Sequence, residues 1–299
     1  MTRHRRSADL AATHAPRGGA HRPPDPRETA GIDASAGHWI TEPESGIVAP
    51  VTQDVFAGDD WWEPDGFLMG LRELLNPVRM PYILRQLRRH GARSVLDVGC
   101  GGGYVSEALA SAGFASIGID RSTISVGTAA TADVGTIYVG ADAHRLPFRD
   151  GTFDAVVLSE VLEHVSRPRD VLGEAARVAT AGGVVVVTGP NRTLPSRALL
   201  IWLAQEWPTR VLPRGLHSHG AFVPPRQLWA WGRDLGLDRV DLTGIGVRMR
   251  KLPASLMALI WLKWGSTSHA EAGRTIALTE SRSAAIAYLA TLRKARAEF

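Results

Sequence analysis

Cysteine, long apolar runs and internal repeats are scarce or absent in this sequence, and each absence argues against a class of protein. The chain has one cysteine, Cys100, so no disulfide can form within it, which fits a reducing compartment. No apolar run reaches the roughly 20 residues that a membrane-spanning helix needs. The longest candidate, 252–264, is interrupted by Pro253 and Lys263. The sequence therefore predicts neither a disulfide-stapled domain, nor a spanning helix, nor a repeat array.

The N-terminal part of the chain is basic and poor in apolar residues. Six arginines and four prolines lie between Met1 and Arg27, and we predict a disordered basic tail over 1–45. The tail lacks the apolar stretch of a secretory signal, and its acidic residues Asp9 and Asp25 argue against a transit peptide. The net charge of +4 is modest. A solvated tail is therefore favoured over contact with lipid or nucleic acid, and no nucleic-acid partner is expected.

Residues 46–299 are predicted to form one domain, since 44% of the chain is hydrophobic and can bury one substantial core. The most informative stretch begins with Ser94–Val98, a short apolar run rich in β-branched residues. A glycine cluster follows, and Tyr104–Ala112 then has apolar residues at helical spacing. This order of strand, tight turn and helix is typical of the first unit of a nucleotide-binding α/β sheet.

The residues around this turn indicate which nucleotide it binds. A dinucleotide fingerprint needs glycine at its first, third and sixth positions. Gly99 and Gly101 fit, but the sixth position is Tyr104, whose ring would crowd a pyrophosphate. Asp97, just before the turn, can meet a cationic group, and Asp120, at the end of the next strand, can accept both hydroxyls of a ribose. A nucleoside with a positively charged amino-acid tail satisfies both acids, so we predict S-adenosylmethionine as the cofactor.

Strands and helices alternate from Ser94 onward. Apolar runs predict a helix at 168–179 and strands at 94–98, 115–120, 136–139, 154–159, 183–188, 237–247 and 284–292. Continuous apolar strands belong to a parallel sheet that is covered on both faces. We therefore predict a Rossmann-like, doubly wound α/β fold with a mostly parallel seven-stranded sheet. Residues 194–222 are expected to form a helical insertion after the fifth strand.

Further motifs lie outside the glycine loop. They are Trp61-Trp62-Glu63-Pro64-Asp65-Gly66, Asn76-Pro77-Val78-Arg79, Glu160-Val161-Leu162-Glu163-His164 and Asn191-Arg192-Thr193. With the glycine loop, they make the chain resemble the class I methyltransferases. Within that class it is most similar to the O-methyltransferases of ubiquinone biosynthesis, which act on polyprenylated catechols. The match departs at 245–249, where the family has an aromatic residue and an Asn-Pro pair. That loop shapes the acceptor pocket, so the departure leaves the acceptor open.

The cofactor of such a fold would contact several residues. Asp97 and the backbone of Gly99–Gly103, including Gly101, would hold the methionine part, as Asp120 would hold the ribose. By resemblance, Arg79 would pair with the cofactor's carboxylate, the alternative being a surface charge on a helix. Asp142, after the third strand, would meet the adenine amino group or else cap a turn. Ser159, at the end of the fourth strand, would line the cofactor cleft.

Glu160, Glu163 and His164 form a second cluster, at the carboxyl edge of the sheet where doubly wound folds bind ligands. In a helix, residues three and four apart share a face, so the three side chains would converge. In one interpretation His164 is the base that takes the acceptor's proton. In a second, the three residues bind a divalent metal, and the resemblance implies Mg²⁺. In a third, they are a capped helix start with a core-facing histidine. His217 would assist the base or lie on the surface.

Residues 194–214 combine tryptophan and arginine with an apolar stripe that includes Trp202 and Trp207. This composition suits the interface between water and lipid. We predict either peripheral membrane contact through 194–214 or a lid over the active site. The expected location is the cytoplasm, with peripheral contact at the inner face of the membrane.

Together, these features predict an S-adenosylmethionine-dependent O-methyltransferase that acts on a phenol or catechol hydroxyl of a lipophilic quinone precursor. The alternative is O-, N- or C-methylation of a soluble secondary metabolite by the same fold, which the altered loop after Gly244 favours. A third hypothesis is a catalytically silent module that binds membranes. The presence of Asp97, Gly99 and Asp120 argues against it, because a silent module needs none of them.

Overall fold

The computed structural model describes residues 56, 60–63, 65–131, 135–206 and 212–296. The basic tail predicted over 1–45 lies outside this part of the chain, and so does Trp207.

The described residues form one eight-stranded sheet in the order β3-β2-β1-β4-β5-β8-β6-β7. The strands are β1 (Ser94–Val98), β2 (Ala115–Asp120), β3 (Ile137–Gly140), β4 (Phe153–Ser159), β5 (Ala179–Pro190), β6 (Leu237–Val247), β7 (Leu278–Ser281) and β8 (Ala287–Lys294). Strands β1 to β5 are parallel, whereas β8 is antiparallel to both β5 and β6, and β7 is antiparallel to β6. The predicted mostly parallel α/β fold is confirmed.

Helices cover both faces of the sheet and connect its strands. They are α1 (Phe67–Arg89), α2 (Tyr104–Ser111), α3 (Thr123–Thr131), α4 (Pro168–Val178), α5 (Leu194–Ser196), α6 (Pro225–Asp234), α7 (Leu252–Lys263) and α8 (His269–Thr275). Short 3₁₀ turns lie at Asp60–Trp62, His219–Ala221 and Met249–Lys251, and a π-helix spans Arg197–Glu206. The helical insertion predicted after the fifth strand is therefore present.

The strand count differs from the predicted seven, because β7 is a four-residue strand that carries too little periodic signal to stand out. The last strand also starts at Ala287 instead of 284. The chain just before it is held by the loop after β5, since Asn191 Nδ2 donates to the Ala284 carbonyl at 2.7 Å and Asn191 N donates to the Ile286 carbonyl at 2.8 Å. These contacts satisfy backbone groups that would otherwise pair in a sheet.

The core lies on both faces of the parallel strands. Val184, Val185, Val186 and Val187 of β5 are all fully buried, as expected for a strand that is covered on both sides. One face packs against α1 and the other against α4 and α6. This packing holds the strand ends rigidly, and the site depends on them.

No helix in the described part of the chain combines the length and the apolar character that crossing a membrane requires.

The carboxyl ends of the six strands β1 to β6 lie at one edge of the sheet. Strand β6 is parallel to β5, because both are antiparallel to β8, which lies between them. The glycine loop after β1, the turn after β4, the insertion after β5 and the helix α7 after β6 therefore all emerge at the edge where doubly wound sheets bind ligands.

Candidate active site

The glycine loop joins the ends of β1 and β2 and touches the turn that follows β4. The backbone N–H groups of Gly99 and Cys100 donate to the Ile119 carbonyl at 2.8 and 2.9 Å. Gly99 has a φ of +71°, and a Cβ there would lie 2.6 Å from the Val161 side chain. Only glycine satisfies both conditions. The loop therefore lies directly beside the segment that carries the predicted base.

Asp97, at the end of β1, is buried, with 1% of its surface exposed. Its Oδ2 accepts a hydrogen bond from Ser106 Oγ at 2.6 Å. Burial raises the pKa of Asp97 to about 6, although the Ser106 hydroxyl and the charge of Arg79 both act to lower it. A buried carboxyl group with this pKa gains from a cationic ligand, as predicted for the ammonium group of the cofactor.

Asp120, at the end of β2, accepts two backbone hydrogen bonds. Gly101 N donates to its Oδ2 and Ser122 N donates to its Oδ1, both at 2.9 Å. Burial raises the pKa of Asp120, and the backbone donors oppose that shift. The carboxylate therefore holds the glycine loop in place. It also lies at the end of β2, where the sequence predicts an acid that binds the ribose.

Asp142 is exposed, and its side chain accepts hydrogen bonds from the turn in which it lies. Its Oδ1 accepts hydrogen bonds from His144 N at 2.9 Å and from the His144 ring at 2.8 Å. Partial burial acts to raise the pKa of Asp142, but these hydrogen bonds outweigh it and the pKa is lowered. The turn-capping alternative is thus observed. A contact with adenine is compatible with it, because 61% of the side chain is exposed.

Arg79 is not the surface charge that the alternative interpretation described. It is buried in α1, where its Nε donates to Asn76 Oδ1 at 2.7 Å and its Nη1 donates to Ser159 Oγ at 3.2 Å. Burial lowers its pKa, against the attraction of Glu160 and Asp97. Ser159 Oγ lies 3.0 Å from Thr188 Oγ1, which donates to Glu160 Oε1 at 2.9 Å. A chain of hydrogen bonds thus joins the guanidinium to the first carboxylate of the second cluster.

The segment after β4 is a series of turns and not a helix, so the helical arrangement considered for Glu160, Glu163 and His164 is wrong. Glu160 has a φ of +57°, which a residue with a side chain rarely adopts. Its N–H donates to the Thr188 carbonyl at 3.0 Å, and His164 N donates to the Val161 carbonyl at 2.9 Å. Such backbone strain is common at functional sites. The tight turn still brings two of the three predicted side chains, Glu163 and His164, close together.

Glu163, His164 and His217 meet in one cluster, in which Glu163 is buried and the two histidines are half-buried. It is called the catalytic cluster hereafter, for the role that we propose for it below. A potential ligand atom from each lies within 4.8 Å of the other two. Glu163 Oε1 is 4.0 Å from His164 Nε2, and the two imidazole rings are 5.3 Å apart between centroids. His217 therefore contacts His164 and is half-buried, which favours the prediction that it assists the base over a surface position. Glu160, a predicted member, lies outside this set. Its carboxylate accepts from Thr188 and is close enough to Glu163 to raise the pKa of that carboxyl.

Burial sets the charges of the catalytic cluster. It lowers the pKa of His164 to about 3, helped by the charge of His217, and it lowers the pKa of His217 to about 4. Burial and the nearby Glu160 raise the pKa of Glu163 well above its usual range. Both imidazoles are therefore neutral at working pH, the state in which a histidine accepts a proton or binds a metal.

Each member of the catalytic cluster also carries a buried polar atom that has no hydrogen-bond partner among the described residues. These atoms are Glu163 Oε1, His164 Nδ1 and His217 Nδ1. An unsatisfied buried polar atom costs about 1–3 kcal/mol. Three of them in one place indicate a ligand site. The set fits a divalent cation, but two imidazoles with one carboxylate suit a metal such as Zn²⁺ or Mn²⁺ better than the oxygen-preferring Mg²⁺.

Gln205 in the π-helix is a site residue that sequence reasoning missed. It is 2% exposed, and its side-chain amide binds both backbone groups of His217. His217 N donates to Gln205 Oε1 at 2.7 Å, and Gln205 Nε2 donates to the His217 carbonyl at 3.2 Å. A lone glutamine in an apolar stretch gives no signal of such a contact. The insertion is thus bound to the catalytic cluster.

The segment before α1 covers both halves of the site. Trp61 Nε1 donates to Ser125 Oγ at 3.0 Å, and Trp62 Nε1 donates to the Gly102 carbonyl at 2.9 Å. The Phe56 ring lies edge-on to His164, with 5.0 Å between centroids. The Trp-Trp pair was a motif of the resemblance, but neither its role nor that of Phe56 was predicted.

Comparison with known proteins identifies the family of this chain. The family model for a methyltransferase domain matches residues 96–187. The ubiquinone biosynthesis O-methyltransferase of Methylococcus capsulatus is 40% identical over 191 residues, which cover 62% of this chain and 79% of that protein. The protein of the same name from Xanthomonas oryzae pv. oryzae is 37% identical over 212 residues, covering 69% of this chain and 87% of that protein.

A solved structure shows the same fold at lower identity. Magnesium protoporphyrin IX methyltransferase from Synechocystis PCC 6803, crystallised with bound SAH, is 16% identical with a TM-score of 0.50. The match covers 84% of this chain and 90% of that one. The predicted cofactor, S-adenosylmethionine, and the predicted methyl transfer to oxygen follow from the relatives, and both are confirmed. The chain belongs to the class I S-adenosylmethionine-dependent methyltransferases, in the family of the ubiquinone biosynthesis O-methyltransferases.

Proposed function

We propose that this O-methyltransferase acts on a phenol or catechol hydroxyl of a lipophilic quinone precursor. The observation that carries the proposal is the catalytic cluster, in which the His164 and His217 imidazoles, each with an unpartnered Nδ1, meet Glu163 beside the glycine loop. A phenolic hydroxyl is weakly acidic and needs a base near neutral pH. The names of the relatives point to a quinone precursor as the acceptor.

Methyl transfer from a sulfonium is an in-line displacement. The acceptor oxygen forms a bond to the methyl carbon while the carbon–sulfur bond breaks, and the sulfur leaves as a neutral thioether. The protein therefore has to align three atoms and remove one proton. We propose His164 as the base, because its Nδ1 is unpaired and Phe56 and His217 hold its ring. Glu163, whose Oε1 lies 4.0 Å from His164 Nε2, would offer an acceptor to the imidazolium that forms.

The predicted cofactor-binding residues keep their proposed roles, with support from burial and hydrogen bonding. Asp97 would pair with the ammonium group, Asp120 would accept the ribose hydroxyls and Asp142 would meet the adenine amino group. Arg79 would bind the carboxylate, with Ser159 holding its guanidinium in place. The backbone of Gly99 and Gly101 would form the floor of the cleft.

A divalent metal in the catalytic cluster is the second mechanistic proposal. Bound by Glu163, His164 and His217, it would lower the pKa of a coordinated acceptor hydroxyl. Glu160, which the sequence analysis placed among the ligands, would then act from the neighbouring position through Thr188. If a metal is required, a chelator abolishes turnover and a divalent cation restores it. Turnover that persists in the chelator rules this mechanism out.

We also propose that residues 194–214 bring the enzyme to the lipid surface or close over the acceptor. Leu194 and Trp202 are 79% and 55% exposed, which suits a surface contact better than an inward-facing lid.

A second candidate acceptor is a soluble metabolite. In its favour, residues 245–247 continue β6 and pair with β7 where the family has its acceptor loop.

The test of the proposed function is transfer of labelled methyl from S-adenosylmethionine to a catechol. Replacing the base, His164→Gln, should lower kcat by about 10²–10⁴-fold, the usual contribution of general-base catalysis. Cofactor affinity should stay unchanged. The matched control is His219→Gln, because His219 lies in the same region but its ring contacts the Thr193 carbonyl and the Phe222 ring, outside the catalytic cluster. Equal kcat for the two variants would contradict the assignment of the base.

A further inference from the structure

Helix α7 exposes a stripe of large apolar side chains. The five residues recur at helical spacing, so they lie along one side of the helix. This stripe, hereafter the α7 face, comprises Leu256 (51% exposed), Met257 (42%), Ile260 (49%), Trp261 (50%) and Trp264 (76%). Contiguous exposed patches of this kind mark surfaces that contact a partner or a membrane.

The α7 face is not an edge of the hydrophobic core. The opposite side of the helix carries the buried residues Ser255 and Ala258. Helix α7 packs on α8, and α8 packs on α1, so the helix is already anchored to the domain without using its exposed stripe. Leaving this much apolar surface in water has a free-energy cost, which a covering surface would remove.

The charges around the α7 face indicate what covers it. Arg248, Arg250 and Lys251 precede the helix and Lys263 lies near its end, whereas no acidic residue occurs between 248 and 270. Basic residues beside apolar ones favour anionic lipid, and tryptophan prefers the depth of the headgroups. A second copy of the chain, or the arginine-rich N-terminal tail, would set positive charge against positive charge.

The position of α7 in the fold fits a membrane contact. It follows β6 at the carboxyl edge of the sheet, the edge that also carries the catalytic cluster and the insertion. We propose that the α7 face lies in the interface of an anionic lipid bilayer and holds this edge of the sheet toward the membrane. The purpose of the contact rests on the proposed function, since a lipophilic acceptor would enter from the bilayer. The binding itself is measurable without turnover.

The experiment is flotation of the full chain with vesicles of phosphatidylcholine alone or mixed with phosphatidylglycerol. We expect binding to the mixed vesicles. Trp261→Ser combined with Trp264→Ser should lower the partition coefficient roughly tenfold, the scale set by removing buried apolar area. Arg250→Gln combined with Lys251→Gln should remove the preference for anionic lipid, as should added salt. The matched control is Val240→Ser, which removes an exposed apolar side chain from β6 and should not change flotation.

Three results would overturn the proposal. The first is that the wild-type chain does not float with anionic vesicles. The second is undiminished flotation of the tryptophan variant, which would assign binding to another segment; Trp202→Ser would then identify the insertion. The third is a concentration-dependent dimer that the variant dissociates in the absence of vesicle binding, which would assign the α7 face to a second copy. Methyl transfer to a water-soluble catechol, measured without vesicles, should be unchanged in the tryptophan variant. Absence of that transfer in the wild type would contradict the proposed function alone.

Discussion

Asp97 is a buried carboxyl group whose charge depends on its ligand. Its pKa of about 6 arises from burial, which the Ser106 hydroxyl and Arg79 only partly offset. The protein therefore holds an acid that is partly protonated in mildly acidic solution until a cation arrives. We propose that this carboxyl group selects a cofactor that carries an ammonium group.

Cofactor affinity should follow the ionisation of Asp97. A raised pKa means that the carboxyl gains its proton as pH falls through about 6, so the dissociation constant of S-adenosylmethionine should rise below that pH and level off above it. Titration calorimetry across this range measures it. Asp97→Asn should bind weakly at every pH, whereas Asp142→Asn should keep the wild-type profile, because the pKa of Asp142 is lowered. A dissociation constant that does not change between neutral pH and about pH 5 would contradict the ammonium contact.

Variants of Asp120 and Asp142 test the proposed ribose contact and the proposed adenine contact of the nucleoside site. Asp120→Ala should weaken cofactor binding by about 1–3 kcal/mol, the scale of a lost buried polar contact. The same calorimetry on Asp142→Ala separates an adenine contact from a turn cap, since only the former lowers affinity. Asp150→Ala is the control, because Asp150 is 80% exposed and pairs with Arg177 away from the cleft. Unchanged affinity in Asp120→Ala would remove this residue from the ribose site.

At the scale of elements, regular strands were predictable and irregular segments were not. The parallel strands are short apolar runs between turn residues, so their bounds agree with the structure to within a few residues. Glu160, by contrast, has a left-handed backbone conformation at the start of its turn. A glutamate in the sequence does not predict that conformation. The clustering of Glu163 with His164 was predicted, but through a helix that does not form. The contact of His217 with this cluster depends on how the insertion folds back, and no local pattern encodes that.

The π-helix is the element that links the insertion to the catalytic cluster. A ten-residue π-helix is rare, and such segments are often found at functional sites. It places Gln205 where its amide binds both backbone groups of His217. We expect this contact to hold the His217 ring against His164, so that Gln205 is a positioning residue.

Replacing Gln205 tests this role. Gln205→Ala should lower kcat roughly tenfold or more, because two buried hydrogen bonds of about 1 kcal/mol each are lost and the His217 ring becomes mobile. The dissociation constant of S-adenosylmethionine should not change. Gln205→Glu, which still accepts from His217 N, should recover part of kcat. A parallel fall in kcat and in cofactor affinity, or equal loss in both variants, would indicate a purely structural role. Circular dichroism and thermal unfolding identify variants that fail to fold.

For the whole molecule, the topology of the sheet explains why the functional segments meet. Strands β1, β4, β5 and β6 point the same way, so the glycine loop, the turn after β4, the insertion and α7 share one edge. The segment that carries Trp61 and Trp62 closes over this edge from the other end of the chain. One edge of the molecule thus combines the proposed cofactor cleft, the proposed base and two exposed apolar surfaces.

The most direct test of the account is methyl transfer by the full chain to paired catechols, one water-soluble and one with a long apolar tail. Labelled S-adenosylmethionine is the donor, and the product is analysed for the atom that carries the label. The account predicts label on a catechol oxygen in both, with a higher kcat/KM for the tailed acceptor when it is presented in anionic vesicles. Cofactor binding without transfer to either catechol, or label on nitrogen or carbon, would contradict it.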